Sequence, residues 1–190
     1  MNIKHVFYTI LALGLMTATP AVMAQDTIKA PTMKAAKNKE DAKDKEEAEP
    51  KPAESEVGKA LEGMTFLTDK KPNTHAKYYI FLQSASWCGP CNAEMPHVVK
   101  QYKAMGQGKK KVEIILLSHD KSNDAAVGFM KKYKADFPCV LASSVPNGTL
   151  PGYKYANAIP NASVVKEDGK EVVNTVAPEV IKNWKKYTKK

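Results

Sequence analysis

Two cysteines three positions apart, in Trp87-Cys88-Gly89-Pro90-Cys91, are the residues of this chain best placed to do chemistry. An apolar, strand-like stretch, Tyr78-Tyr79-Ile80-Phe81-Leu82, runs just before them, and a helix-like stretch follows. At positions i and i+3 of a helical first turn two side chains share a face, with Cβ atoms about 5–6 Å apart. A small adjustment brings them to the roughly 3.5–4.5 Å of a disulfide. The pair can therefore open and close a bond without moving the chain around it. A first helical turn also presents unpaired N–H groups and a partial positive charge, which favours a thiolate at Cys88. Gly89 leaves room for the backbone of a partner. Pro90 has no N–H where none is needed, and its fixed φ suits the start of a helix.

A bare C-x-x-C also serves zinc. Zinc needs about four ligands, however, and the chain has no second C-x-x-C and no H-x-x-x-H. His75, His97 and His119 are scattered, and His5 lies in the leader. No resident metal is expected. A metal chaperone using Cys88, Cys91 and a histidine stays open as a non-enzymatic alternative, and a redox-inert binding module is a further one.

The string Trp87-Cys88-Gly89-Pro90-Cys91-Asn92-Ala93-Glu94-Met95-Pro96 resembles the active-site motif of thioredoxin-like disulfide oxidoreductases. Glu94 and Pro96 mark it as similar to the extracytoplasmic TlpA/ResA-like branch. The resemblance implies Cys88 as nucleophile and Cys91 as resolving thiol, with Trp87, Gly89 and Pro90 flanking a bound substrate. It implies a cis bond at Ile159-Pro160, facing the C-x-x-C, with a backbone free to pair with an extended substrate strand. Asn161 departs from the commoner Pro-Thr pair at that place. Cytoplasmic-type thioredoxins carry a buried Asp six residues before the first cysteine, where this chain has Leu82. The branch uses a glutamate at the place of Glu94, three residues after Cys91 on the same helical face, as proton relay. No cofactor is implied beyond the Cys88–Cys91 dithiol.

The elements that must hold these residues follow an α/β order. Val57–Leu61 is predicted as a short helix, Thr65–Leu67 and Lys77–Ser84 as strands, and Asn92–Met105 as a helix with Met95, Val98, Val99, Tyr102 and Met105 inward and a kink at Pro96. Val112–Leu117 reads as a strand buried on both faces. Asp124–Lys134 reads as a helix capped by Ser122 or Asn123. Phe137–Leu141 reads as a short strand, followed by a loop over Ser143–Tyr155. Ala162–Val165 and Val172–Val173 form a hairpin, and a last helix starts at Pro178. This order matches the thioredoxin fold, a central mixed sheet flanked by helices, with Ile115–Leu141 resembling the strand-helix insertion of the branch. Cys139 is expected to be a small buried apolar residue, with a third redox thiol as the sharper alternative.

Residues 1–24 read as a cleavable signal peptide, with Lys4, a short apolar run and small residues before Gln25. An uncleaved anchor is the alternative. Export places the mature chain where disulfides persist, in the periplasm or outside the cell. Residues 25–55 are rich in Lys, Glu, Ala and Pro and poor in large apolar residues, the composition of a disordered tether. The domain over 56–190 carries 21 Lys, no Arg and 12 Asp plus Glu, a net charge of +9. The absence of Arg, the residue of bidentate phosphate and base recognition, argues against a nucleic-acid partner. The expected function is an exported reductase of protein disulfides, monomeric, fed by a membrane electron donor. A disulfide oxidase or isomerase is the alternative.

Overall fold

The computed structural model describes residues 53–189. The leader expected over residues 1–24, and the tether over 25–55 apart from its last three residues, lie outside them. Those three are part of the packed body. Ala53 is buried, and its N–H donates to Glu62 Oε1 at 2.7 Å. Ser55 caps helix α1, Glu56–Glu62, by accepting the Gly58 N–H at 3.0 Å.

The sheet is built around β1, Tyr78–Ser84, and β2, Val112–Ser118, each buried along all seven residues. Such runs need cover on both faces and a neighbour on each edge. β1 pairs parallel with β2 and antiparallel with β4, Asn161–Lys166. β2 pairs parallel with β3, Cys139–Leu141, and β4 antiparallel with β5, Glu171–Val176. The order across the mixed sheet is β3-β2-β1-β4-β5.

Alternation along the strands divides the core in two. Ile80, Leu82, Ile114, Leu116, Ala162 and Val164 meet helices α2, Gly89–Met105, α3, Asn123–Tyr133, and α4, Ala177–Tyr187. On the opposite face Tyr79, Phe81, Ile115, Leu117 and Val165 meet α1 and the loop that carries Val145 and Leu150. Each large apolar side chain so buried contributes about 1.5–3 kcal/mol. The helix stripes are largely those the spacing dictates. Met95, Val98, Tyr102 and Met105 are buried on α2 while Val99 is partly exposed, and Ala126, Phe129 and Met130 are buried on α3 with Tyr133 at the margin.

Two local expectations need correction. Thr65–Leu67 is not a strand. Leu67 N–H gives one backbone hydrogen bond to Cys139 O at 2.8 Å, because the three-residue edge strand β3 offers no ladder to extend, and the polar run Asp69-Lys70-Lys71-Pro72 turns the chain away. Helix α2 starts at Gly89 rather than Asn92, so Cys88 is its N-cap. Ser122 is the cap of α3, accepting the Ala125 N–H at 3.3 Å. The segment Ile115–Leu141 holds most of β2, a central strand, followed by α3 and the edge strand β3. Among the described residues no helix is long and apolar enough to cross a membrane.

A carboxylate lies inside this body, far along the sheet from the cysteines. Glu113 is fully buried. Its Oε1 accepts from Tyr102 Oη at 2.8 Å and from Ile114 N–H at 2.9 Å, and its Oε2 accepts from Asn73 N–H at 2.8 Å. Loss of water raises its pKa above the ordinary 4.5, against those hydrogen bonds and the Lys70 charge, which lower it. A raised native pKa stabilises the fold fully below 4.5 and loses that contribution as pH climbs through the native value. Chemical denaturation as a function of pH is therefore expected to show a decline above the ordinary glutamate range that Glu113→Gln lacks. Parallel profiles for the two proteins would contradict the assignment.

Candidate active site

The register of β1 sets the site. Ser84 ends β1 opposite Ser118 at the end of β2, and Gln83 lies opposite Asn161 at the start of β4. The chain leaving β1 therefore passes the residues that enter β4. Cys88 and Ile159, 71 positions apart in sequence, come together for that reason. Loops at the carboxyl ends of parallel strands are the usual place for a functional site in such sheets.

Cys88 and Cys91 form a disulfide, with Cα atoms 5.2 Å apart. Cys88 keeps extended backbone at the N-cap, φ −86° and ψ 113°, and its Sγ accepts the Cys91 N–H at 3.2 Å. The sulfur thus occupies the place of a capping oxygen and takes up one of the free donors of the first turn. Cys91 is 1% exposed and Cys88 6%. Pro90 lies in that first turn. A side chain added at Gly89 would meet nothing within 4 Å, so a partner's backbone can approach the chain between the two cysteines. Across from it the Ile159-Pro160 bond is cis, and Ile159 O lies 3.8 Å from Cys88 Sγ. Pro160 O accepts the Ala177 N–H at 3.1 Å, which ties the first turn of α4 to the same corner.

Trp87 is 66% exposed, and its Nε1 donates to His119 O at 3.4 Å. The structure therefore brings Trp87, Cys88, Gly89, Pro90, Cys91, Ile159 and Pro160 to one corner of the domain, with both sulfurs beneath its rim. Glu94 lies one turn along α2 with its side chain 14% exposed, and its Oε2 is 3.6 Å from His97 Nδ1. Among the described residues it makes no hydrogen bond to either cysteine. Leu82 is buried in the same core as Cys91. Asn161, where the commoner motif has threonine, keeps its Oδ1 buried without a partner. Cys139 is fully buried, and loss of water, helped by the Asp120 charge, pushes its thiol up to about 12. It stays protonated and shielded, a packing residue.

Several residues that hold the site escaped the sequence reading. Asp120, buried just past β2, accepts the Ser86 N–H at 3.1 Å, the Ser86 Oγ–H at 2.6 Å and the Ser118 Oγ–H at 2.8 Å. It pins the loop two residues before Cys88. Asn92 Nδ2 donates to Ser86 O at 2.7 Å and Cys88 O at 2.8 Å, while its Oδ1 accepts from Lys132 Nζ and Tyr133 Oη, both at 2.8 Å. It ties the cysteine loop to α3. Gln83 Oε1 accepts the Ala156 N–H at 2.7 Å and faces His119 Nε2 at 3.0 Å, and Gln83 Nε2 donates to Lys154 O at 2.8 Å. His119 stacks on Tyr155 with ring centres 4.4 Å apart, and burial lowers its pKa from 6.5 against the pull of Asp120. An Asn inside a helix is a poor helix former, which is the one signal Asn92 offered. Asp120 offered its place in a loop after a buried parallel strand.

The chain matches the family model described as thioredoxin-like over residues 76–171, the stretch that contains the cysteines and Pro160. It is 29% identical over 106 residues to the thiol-disulfide oxidoreductase ResA of Bacillus cereus, covering 55% of this chain and 58% of that one. It is 34% identical over 88 residues to ResA of Bacillus subtilis, covering 46% of each. The chain thus spans about half the length of the curated relatives it matches. A mutant tryparedoxin-I superimposes with a TM-score of 0.50 at 23% identity, over 67% of this chain and 92% of that one, a likeness of fold. With the C-x-x-C at the N-cap of a helix and a proline strand facing it, the matched region carries the defining parts of that fold, and the chain belongs to the thioredoxin-like family.

Proposed function

We propose that this protein is an exported thiol–disulfide oxidoreductase that reduces disulfides in proteins. One observation carries the reading: Cys88 caps the helix beside Gly89, whose outer side is open, and is bonded to Cys91, buried one turn behind it. In the reduced protein the Cys88 thiolate attacks one sulfur of a partner disulfide. That bond breaks, its second sulfur leaves as a thiolate, and a mixed disulfide forms. Cys91 then gives up its proton and attacks Cys88 Sγ, which releases the partner's remaining thiolate and leaves the Cys88–Cys91 disulfide. Two electrons pass to the partner. Two must return from a donor, which the reading places in the membrane. The chemistry needs no cofactor beyond the two thiols.

The positions of the other residues support roles in these steps. Trp87, Gly89, Pro90, Ile159 and Pro160 border the place where the partner strand lies. Glu94, mostly shielded and one turn from Cys91 on the same helix, is the group we assign to proton transfer at the resolving thiol. The Gly-Pro between the cysteines, as in reducing thioredoxins, favours the reducing direction over an oxidase. The leader over residues 1–24 favours export, and a monomer suffices for the exchange.

Two variants test the assignment. Cys91→Ser removes resolution and leaves attack intact, so mixed disulfides with a model protein substrate are expected to accumulate through Cys88, as peptide mapping reads. Trapping through Cys139 would overturn the roles. Glu94→Gln is expected to slow turnover on the order of a hundredfold and to shift its pH dependence, with the fold unchanged by circular dichroism. An unchanged pH–rate profile would remove Glu94 from the mechanism.

A further inference from the structure

The surface charge is not spread evenly. Residues 95–112 hold five lysines and no Asp or Glu, and residues 180–190 hold five lysines and none. The fold joins the ends of these two runs. Helices α2 and α4 both begin beside the disulfide, since Cys88 caps one and the Ala177 N–H of the other bonds Pro160 O. They lie against each other, with Trp184 Nε1 donating to Gln101 Oε1 at 3.2 Å, and end at the far side of the domain. There Lys111 Nζ donates to Thr188 O at 3.1 Å. Tyr78 donates its N–H to Lys111 O at 3.0 Å and its hydroxyl to Lys189 O at 3.4 Å. Lys109, Lys110 and Lys111 thus lie beside Lys185, Lys186 and Lys189, all six exposed.

None of the six is ion-paired among the described residues. The lysine–carboxylate pairs there use Lys70, Lys77, Lys154 and Lys170. Lys185 and Lys186 lie over their neighbours' rings, Trp184 and Tyr187, at 5.7 and 5.3 Å. Cations in a last helical turn complement the dipole, which accounts for Lys185 and Lys186. It does not account for Lys109–Lys111, which follow the left-handed cap at Gly106, nor for Lys189 beyond the end of α4.

We propose that this lysine-rich end docks the domain on an anionic phospholipid surface, with Cys88 and Cys91 turned away from the bilayer. Clustered lysines at a membrane surface bind anionic headgroups through diffuse, additive charge. A cluster without Arg suits that mode better than bidentate recognition of a shaped ligand. The site of redox exchange is left free, at the opposite ends of α2 and α4. The described chain also begins at this end of the sheet, since Val57 N–H bonds Glu167 O, in the turn that follows β4.

The test is co-sedimentation of the full chain with vesicles of phosphatidylcholine alone or with about one-third phosphatidylglycerol. One variant carries Lys109→Gln, Lys110→Gln, Lys111→Gln, Lys185→Gln and Lys186→Gln. A control of identical net charge, taken from elsewhere on the domain, carries Lys121→Gln, Lys131→Gln, Lys132→Gln, Lys134→Gln and Lys154→Gln. The unaltered chain is expected to prefer the anionic vesicles, the first variant to lose that preference by about a hundredfold, and the control to stay within about threefold. Preference in the unaltered chain should also collapse at high salt, a readout that does not depend on any variant folding. Alkylation of reduced Cys88 by a membrane-impermeant maleimide should run equally fast in bound and free protein. Equal binding to both vesicle types, equal loss in both variants, protection of Cys88 on binding, or binding to polyglutamate without vesicle binding, which would mark an acidic polypeptide as the partner, would each overturn the proposal.

Discussion

Strand β1 is the constraint on which the rest depends. All seven of its residues are buried, with β2 parallel on one edge and β4 antiparallel on the other. A slip of one residue would turn every side chain to the opposite face and exchange the Ile80–Leu82 core for the Tyr79–Phe81 core. Because the register cannot slip cheaply, Gln83 stays beside Asn161, and the residue that follows β1 by four positions comes beside the turn that leads into β4. The approach of Cys88 to Ile159 O is a consequence of strand pairing, with no contact between the two loops needed to create it.

Around that junction the protein spends buried polar groups on position. Asp120, Asn92 and Gln83 each bond two or more groups from separate segments. Leaving a buried donor or acceptor without its partner costs about 1–3 kcal/mol, so each of these side chains resists displacement of the loop it holds. The exposed parts are of another kind. Trp87 and Tyr155 stand out of the surface by more than half, and a Cβ at Gly89 would find open space. A rigid frame and an uncovered rim suit the disulfide exchange proposed for this site.

The parts of this arrangement that are local in sequence were legible. The buried runs of β1 and β2, the apolar stripes of α2 and α3, and the hairpin of β4 and β5 follow from periodicity and turn residues. The cysteine motif carried its own chemistry, and resemblance supplied Pro160. The parts that depend on distant partners were not legible. Asp120 meets Ser86 across 34 positions and Asn92 meets Tyr133 across 41, and the weak local signals at either position do not name those partners. The Thr65–Leu67 stretch shows the converse failure: it has strand-forming residues, yet the edge it meets is too short to pair with. The neighbouring lysines of α2 and α4 were visible as charge, but the chain fold alone puts them side by side.

In the proposed function Cys88–Cys91 is a reversible pair that gives electrons to protein disulfides. Its reduction potential, from equilibration of the protein with thiol buffers of known potential, tests that most directly. The value expected is near that of reducing thioredoxins, about −270 mV. A value near about −120 mV, that of a strong oxidant, or a bond that thiol buffers fail to open while the fold stands, would contradict it.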